Sequence, residues 1–414
     1  MGAISMSARL TVALAAVLVF TGSLLAQPPG VGELPPPVIT TESSPSTPVG
    51  PPVRADSPTD GGLWAAADSV FSWFRAIRLR PLVTTSPPGT PRASAGVLGV
   101  PGTSELFGGP VDNDSRLGFR GELGYWFGPD RIWGVEAGFM VIESQAQGFA
   151  AASNGTPILA RPFIDANNFS SQAVLVAFPG LTTGSLVVRA ASGNFYEAHL
   201  DFTAKLIDDG RRFRVDSIVG YRFYRYDERL TFQQSMSPTG PEFIPGTQIV
   251  AFDDFETRNE FHGLDIGLRS QATWRSLSFD ALAKVALGNL HQVIDIGGGT
   301  VTTVPGAAPV FQNGGVYALP TNIGSHSSNT FAVLPEFGAA LGWRVTDNVQ
   351  VRVGYSFLWL NQIAHAGDQI NTLINPNRFP TAGVPPTGPL QPGFFLERSN
   401  SWIQSITVGL QVNF

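Results

Sequence analysis

From residue 116 onward, apolar and polar positions alternate in short blocks, and residues 399–414 show the pattern most fully. Trp402, Ile406, Val408, Leu410, Val412 and Phe414 form one apolar row, broken only by Gln404. Ser401, Ser405, Thr407, Gly409, Gln411 and Asn413 form the opposite row, in which Ile403 is the exception. Period two is the signature of a strand with one apolar and one polar face. The same alternation predicts strands over residues 63–79, 116–127, 133–142, 194–206, 212–223, 261–274, 277–287, 330–344, 349–360 and 399–414, ten in all. Pro335 falls within the eighth and can donate nothing to a ladder, which predicts a local bulge there.

Connections alternate as strictly as the faces do. Tight turns at Gly128-Pro129-Asp130-Arg131, Asp208-Asp209-Gly210, Arg275-Ser276 and Thr346-Asp347-Asn348 follow the second, fourth, sixth and eighth strands. Long stretches rich in Gly, Pro, Asn and Thr, about residues 83–115, 144–193, 231–254, 298–329 and 361–398, follow the odd ones and are predicted to be loops. Aromatic residues sit on the apolar rows beside the turns and the C-terminus: Phe127, Trp133, Phe213, Trp274, Trp343 and Phe414. A second set, including Phe223, Phe331, Trp359 and Trp402, lies ten or twelve residues further along its strand. Ten residues of tilted strand project to roughly 23 Å, close to the ~25 Å apolar band that aromatic girdles flank in membrane barrels.

Composition then chooses between a soluble sandwich and a membrane barrel. Charged residues make up 14% of the 414, against ~25% in ordinary soluble domains. The single long apolar run is at the N-terminus. Residues 1–26, with Arg9 before an apolar stretch and Leu24-Leu25-Ala26 after it, read as a secretory signal peptide. Residues 27–60 contain ten prolines and form a Pro-rich disordered spacer on the periplasmic side. Residues 61–414 then carry the fold: all-β, a transmembrane antiparallel up-and-down β-barrel of about ten strands, with short periplasmic turns and long outer loops. An even strand number returns both ends of the chain to the periplasmic side. Outer-membrane lipids are the expected surroundings. There is no cysteine, so disulfides and thiolate metal sites are excluded. No basic stripe interleaved with aromatics suggests nucleic acid, and the net charge is a modest −6.

Within the alternation, charged residues keep to the polar face, which in a barrel lines the lumen. The basic ones are Arg120, Lys205, Arg212, Arg214, Arg222, Arg269, Lys284, Arg344 and Arg352; the acidic ones are Glu122, Glu136, Glu197, Asp201, Asp216, Asp265, Asp280 and Glu336. Nine against eight nearly cancel, whereas a selective ion channel shows a ring dominated by one sign. Ten strands also enclose little space, since eight-stranded barrels are filled by side chains and wide channels need 16–18. A narrow, ion-paired lumen is expected, with a porin-like or envelope-structural role.

The terminal strand resembles the closing strand of bacterial outer-membrane barrels, and that likeness implies recognition by the barrel assembly machinery. More of the chain resembles one family. Arg80-Pro81-Leu82-Val83-Thr84-Thr85, Gly96-Val97-Leu98-Gly99, Leu106-Phe107-Gly108-Gly109, Gly134-Val135-Glu136, Arg161-Pro162-Phe163, Gly220 to Leu230, Asn259 to Gly263 and Ala286-Leu287-Gly288-Asn289 are similar to the motifs of the beta-barrel porin type-seven family. The resemblance spans about residues 63–414. It implies an outer-membrane β-barrel and brings no established catalytic or binding residues with it; no enzyme activity and no cofactor are expected.

Two other functions compete. A hydrolase at the barrel rim needs a nucleophile, a base and an orienting group. His365 with Asp368, and His262 near Glu260, offer histidine–carboxylate pairs of a kind expected to be solvated loop pairs. Asp112-Asn113-Asp114 lacks the rest of a calcium loop, and Gly297-Gly298-Gly299 lacks the lysine and helix of a phosphate loop. The long loops, alternatively, could bind a surface partner.

Overall fold

The computed structural model describes residues 62–111, 114–383 and 385–414. The expected signal peptide and Pro-rich spacer lie outside the described residues, as do Asp112 and Asn113 of the acidic triplet.

Eighteen strands follow in order: β1 (Gly62–Phe74), β2 (Ile77–Thr85), β3 (Ser104–Val111), β4 (Arg116–Phe127), β5 (Trp133–Ile142), β6 (Gln145–Ser153), β7 (Leu159–Asp165), β8 (Ser171–Ala177), β9 (Thr182–Ser192), β10 (Phe195–Asp208), β11 (Phe213–Pro238), β12 (Gln248–Trp274), β13 (Leu277–Thr303), β14 (Val310–Asn313), β15 (Gly324–Arg344), β16 (Val349–Ile363), β17 (Leu373–Ile374) and β18 (Ser399–Asn413). Thirteen of them belong to one antiparallel sheet. Its ladders run β1–β4–β5–β10–β11–β12–β13–β15–β16–β18 and return from β18 to β1. These ten correspond to the ten alternating segments of the sequence, the first of them only as far as Phe74. Each tight turn falls where the pattern placed it. At the second, Asp209 Oδ1 accepts N–H groups from Arg211, Arg212 and Phe213, and Gly210 takes a positive φ that other residues resist.

The expected long loops are largely structured, which corrects the picture of ten strands joined by loops. β11, β12 and β13 run for 26, 27 and 27 residues, roughly twice the predicted lengths. The connection from β11 to β12 shrinks to residues 239–247. β9 takes over the β11 ladder beyond Glu228, where β10 has ended, and β6 pairs with β9. β14 pairs with the far end of β13. β2, β3, β7, β8 and β17 form a second, five-stranded sheet. The predicted first strand, residues 63–79, breaks at Arg75-Ala76, and its tail joins this second sheet as β2.

The extended strands change sides along their length. On β12 the outward row reads Trp274, Ala272, Ser270, Leu268, Ile266 and Leu264 near the turn, then His262, Glu260, Arg258, Glu256 and Asp254. Its inner row reads Arg269 and Asp265, then Phe261, Asn259, Thr257 and Phe255, the last four fully buried. β11 and β13 switch at the same height. Near the turns the sheet is apolar outside and charged inside; farther on it is polar outside and apolar inside. The far half therefore has an ordinary buried core. Leu82, Val83 and Phe163 of the second sheet pack there against Leu186, Val188, Leu230, Phe232, Phe255 and Ile294 of the first.

No bulge accompanies Pro335. The β13–β15 ladder passes it in unbroken register. The Val333 N–H, two residues back and on the same edge, points away from β13 to Asn361 Oδ1. On that edge the pairing with β16 stops at Glu336. The N–H that proline lacks would have had no ladder partner, which is where a strand tolerates proline.

Candidate functional site

Contacts across the ring define its interior. Arg269 on β12 reaches past β11 and β10 to hold both oxygens of Glu136 on β5, at 2.6 and 2.7 Å. Lys284 on β13 reaches Asp201 on β10 at 2.6 Å. Arg222 on β11 touches Asp265 on the neighbouring strand and Glu336 on β15. Arg352 on β16 crosses β18 to Asp68 on β1, at 2.7 Å, and to Glu122 on β4, at 2.9 Å; Arg120 joins the same Asp68 at 2.8 Å. Arg214 pairs with Asp216 and lies over the Trp126 ring. Asp280 accepts from Gln271 and Ser278.

Three of the predicted lumen residues sit elsewhere. Arg212 and Arg344 are exposed at the short turns, and Lys205 at the end of β10 pairs with Asp208 and the Asp130 carbonyl. Arg212 precedes its strand, Arg344 is the last residue of β15, and Lys205 stands at the register shift near the end of β10, so alternation no longer decides which way these side chains point. Asp68 was missed. It occupies the inner row Ala66, Asp68, Val70, Ser72 and Phe74, a readable alternation in the strand whose start the pattern marked least clearly. Of the aromatic set, Phe127, Trp133, Phe213, Trp274, Trp343 and Phe414 are exposed on the outer face at the turn end. Trp359 and Trp402 stand opposite each other on β16 and β18 at the far end of the outward apolar band.

Directly above the charged groups lies an apolar layer to which nine of the ten ring strands contribute. It contains Phe74, Ile142, Phe195, Tyr224, Tyr226, Phe261, Leu290, Leu334, Leu358, Leu360 and Ile403. Phe74 stacks on Tyr226 from across the ring (5.6 Å), Phe195 on Tyr224 (5.7 Å) and Tyr224 on Phe261 (5.4 Å). Arg116, from the tenth strand, β4, places its guanidinium 4.0 Å above the Phe74 ring. Each fully buried ring of this kind contributes about 1.5–3 kcal/mol. Ile403, the exception in the polar row of the last strand, belongs to this layer.

The chain between β16 and β18 turns inward above it. Ala364, His365, Ala366, Gln369 and Ile370 are buried. Asn259 anchors the segment, its Oδ1 accepting the Ala364 N–H and its Nδ2 donating to the Ala364 carbonyl. Gln292 donates to Asn259 and to the Gln362 carbonyl. Glu228 takes His365 Nδ1 at 2.8 Å and the Ala366 N–H at 3.0 Å.

Burial disfavours the charge on both groups of that pair, but attraction and hydrogen bonding outweigh it. The His365 pKa lies above the usual imidazole value, and the Glu228 carboxyl below the usual carboxylate value. The histidine expected to be a solvated loop residue partnered by Asp368 is thus buried and partnered by Glu228. Asp368 instead accepts from Ser399 Oγ. No described hydroxyl is hydrogen-bonded to His365, so the nucleophile–base contact of a hydrolase is not formed there. The other pair, His262 with Glu260, separates: both are on the outer row of β12, and His262 bonds Tyr221.

Sequence reasoning also missed the centre of the far half. Arg161 of β7, fully buried, meets Asp253 of β12 at 2.7 Å and lies between the Phe232 and Tyr317 rings. Asp253 Oδ1 accepts three successive backbone N–H groups, from Val316, Tyr317 and Ala318. A cavity of about 250 Å³ opens beside this core, between β6, β9 and β11 on one side and β2 and β3 on the other. Asp114, Gln145, Gln147, Ser192, Glu228 and Arg229 supply its polar groups.

Several solved barrels are similar in outline. The outer membrane protease OmpT from Escherichia coli is 10% identical, with 86% of this chain and 98% of that one covered and a TM-score of 0.43. A Pseudomonas aeruginosa FadL homologue is 9% identical (86% and 91% covered, TM-score 0.24), and the P. putida toluene transporter TodX 8% identical (86% and 91%, TM-score 0.19). Scores this low carry nothing about function. No curated protein matches the chain. Residues 64–414 match the family described as "Putative beta barrel porin-7 (BBP7)", and the chain belongs to that family.

Proposed function

We propose that this protein is a ten-stranded transmembrane barrel of the outer membrane, closed to passive flow, whose work is done by the ordered half that stands outside the bilayer. The observation that carries the closed state is the layer of Phe74, Phe195, Tyr224, Tyr226 and Phe261, stacked across the ring between the charged interior and the outer core. A constriction of stacked apolar rings opposes the entry of water and ions.

The change of sides along β11, β12 and β13 supports the membrane placement. The outward apolar row of β12 runs from Trp274 to Leu264, ten residues or roughly 23 Å of tilted strand, before charges begin. Lipid faces that band, the short turns face the periplasm, and the second sheet faces outward. The role is envelope-structural or surface-binding and non-enzymatic. The cavity between β6, β9, β11 and the second sheet favours surface binding by the outer half. The terminal strand is the part that the barrel assembly machinery would engage.

Planar-bilayer recording tests closure. The wild-type chain should give no discrete conductance steps, and Phe74→Ala combined with Tyr226→Ala should produce them. Regular steps from the wild type would overturn the closed reading.

A further inference from the structure

Glu136 and Asp201 face each other across the β5–β10 ladder, and His199 lies two residues from Asp201 on the same inner row. Each of the three offers a ligand atom within 4.8 Å of the other two. The position opposite His199 is Gly138, where a Cβ would stand only 2.3 Å from the imidazole Cε1. The sequence has left room for this ring.

A second observation points to a missing cation. Asp201 is fully buried; Lys284 holds its Oδ2, and its Oδ1 has no hydrogen-bond partner. Lys284 also holds Asp265 Oδ2 at 2.7 Å, and Asp265 Oδ1 is likewise without a partner. Buried carboxylate oxygens in this condition are costly.

Charge counting agrees. The ion pairs around these residues hold five carboxylates (Glu136, Glu197, Asp201, Asp265 and Glu336) against three cations (Arg222, Arg269 and Lys284), with Glu136 and Arg269 paired to each other and the rest joined through Arg222 and Lys284. With His199 in the neutral form that a metal ligand requires, five against three leaves a net charge of −2. An enclosed cluster does not keep such an excess uncompensated. One divalent ion would cancel it.

We propose that Glu136, His199 and Asp201 form a binding site for one divalent transition-metal ion inside the charged half of the barrel. An imidazole nitrogen with two carboxylate oxygens is the donor set that zinc and its neighbours accept. The site rests on the ring geometry alone and stands whether or not the barrel conducts.

The test uses full-length protein purified in detergent and stripped of metal. Zinc is titrated by equilibrium dialysis with metal analysis, and cobalt serves as a spectroscopic probe. One zinc per chain should bind, and cobalt should show ligand-field bands. His199→Ala and Asp201→Asn should each weaken zinc by at least about tenfold, the lower end of what even outer-shell changes cost. Gly138→Ala keeps all three ligands but crowds the imidazole, and should weaken zinc as well. Asp280→Asn, an interior acid outside the cluster, should leave binding unchanged. Heat-modifiable gel migration identifies folded variants. Absence of stoichiometric zinc in the folded wild type would overturn the site and leave protons as the balancing charge. Undiminished binding by folded His199→Ala would overturn it too.

Discussion

Glu228 reaches the inward segment from a strand that is charged on one half of its inner row and apolar on the other. It sits just past the changeover, between Tyr226 and Leu230 of the inner row, where its single charge is tolerated because His365 and the Ala366 N–H meet it. Asp368 and Arg75 also act on His365, with opposite signs. The pair's pH dependence follows from the two shifts. Glu228, with a lowered pKa, stabilises the fold above the ordinary carboxylate value of 4.5, and that contribution fades as pH falls through its folded pKa. His365, with a raised pKa, stabilises it below the ordinary value of 6.5, and that contribution fades as pH rises through its folded pKa. The inward segment should therefore be held most firmly between about pH 4.5 and 6.5 and loosen on the alkaline side. Hydrogen exchange at Ala364–Ile370, corrected for the intrinsic pH effect, should show protection falling above that window. Glu228→Ala should cost about 3–5 kcal/mol of local stability, as expected when one partner of a buried pair is removed, and should flatten the profile. A flat profile in the wild type would contradict the argument.

At the scale of the strand, the side chains of β12 exchange rows along its length, apolar outward near the turn and polar outward beyond it, as the proposed membrane placement requires. Cysteine labelling reads this directly. Glu256→Cys and Ile266→Cys both lie on the outer row, whereas Thr257→Cys points into the core. In reconstituted vesicles a membrane-impermeant maleimide should label Glu256→Cys quickly and leave Ile266→Cys and Thr257→Cys unmodified; in denaturant all three should react. Equal labelling at 256 and 266 in vesicles would remove the lipid band. The same exchange explains how far the sequence could be read. The turn-proximal halves of the strands were legible because one rule, apolar outward, holds from Trp274 to Leu264 and from Phe213 to Phe223. The far halves looked like loops because the rule inverts at Tyr224, His262 and Asn289 without any break in the strand. Isolated violations such as Ile403, and Leu358 and Leu360 on the inner row of β16, were the apolar layer showing through. Arg161 and Asp253 could not be paired from sequence, since 92 positions separate them and neither sits in an alternating segment of the predicted set. The buried His365 was misplaced for a related reason: its partner Glu228 is 137 positions away, while Asp368 is only three.

Closure of the whole ring depends on the first and last strands meeting, and that seam has its own staple. Along β1 and β18 the pairing runs from Trp64 opposite Asn413 to Phe74 opposite Ile403, with Ser72 and Ser405 hydroxyls bonded at 2.8 Å inside. Asp68, almost fully buried, ties Arg120 of β4 and Arg352 of β16 across both seam strands at once. Replacing it by Asn would leave two interior guanidinium groups with only Glu122 between them. Breaking a buried pair by removing one partner costs about 3–5 kcal/mol, and here the loss falls on the one ladder that joins the two ends of the barrel chain. Asp68→Asn should therefore lower the temperature at which the folded band converts to the unfolded one on gels, while Asp208→Asn at an exposed turn should not. If the seam is the point of failure, joining its two strands should undo the damage. Ser69→Cys and Val408→Cys stand opposite each other on the outer row, within reach of a short thiol cross-linker. Linked Asp68→Asn protein should regain the wild-type transition, and linked wild type should exceed it. Were the cross-link to form within the chain but leave the Asp68→Asn transition low, the barrel would be opening elsewhere and Asp68 would matter only to the interior charge network.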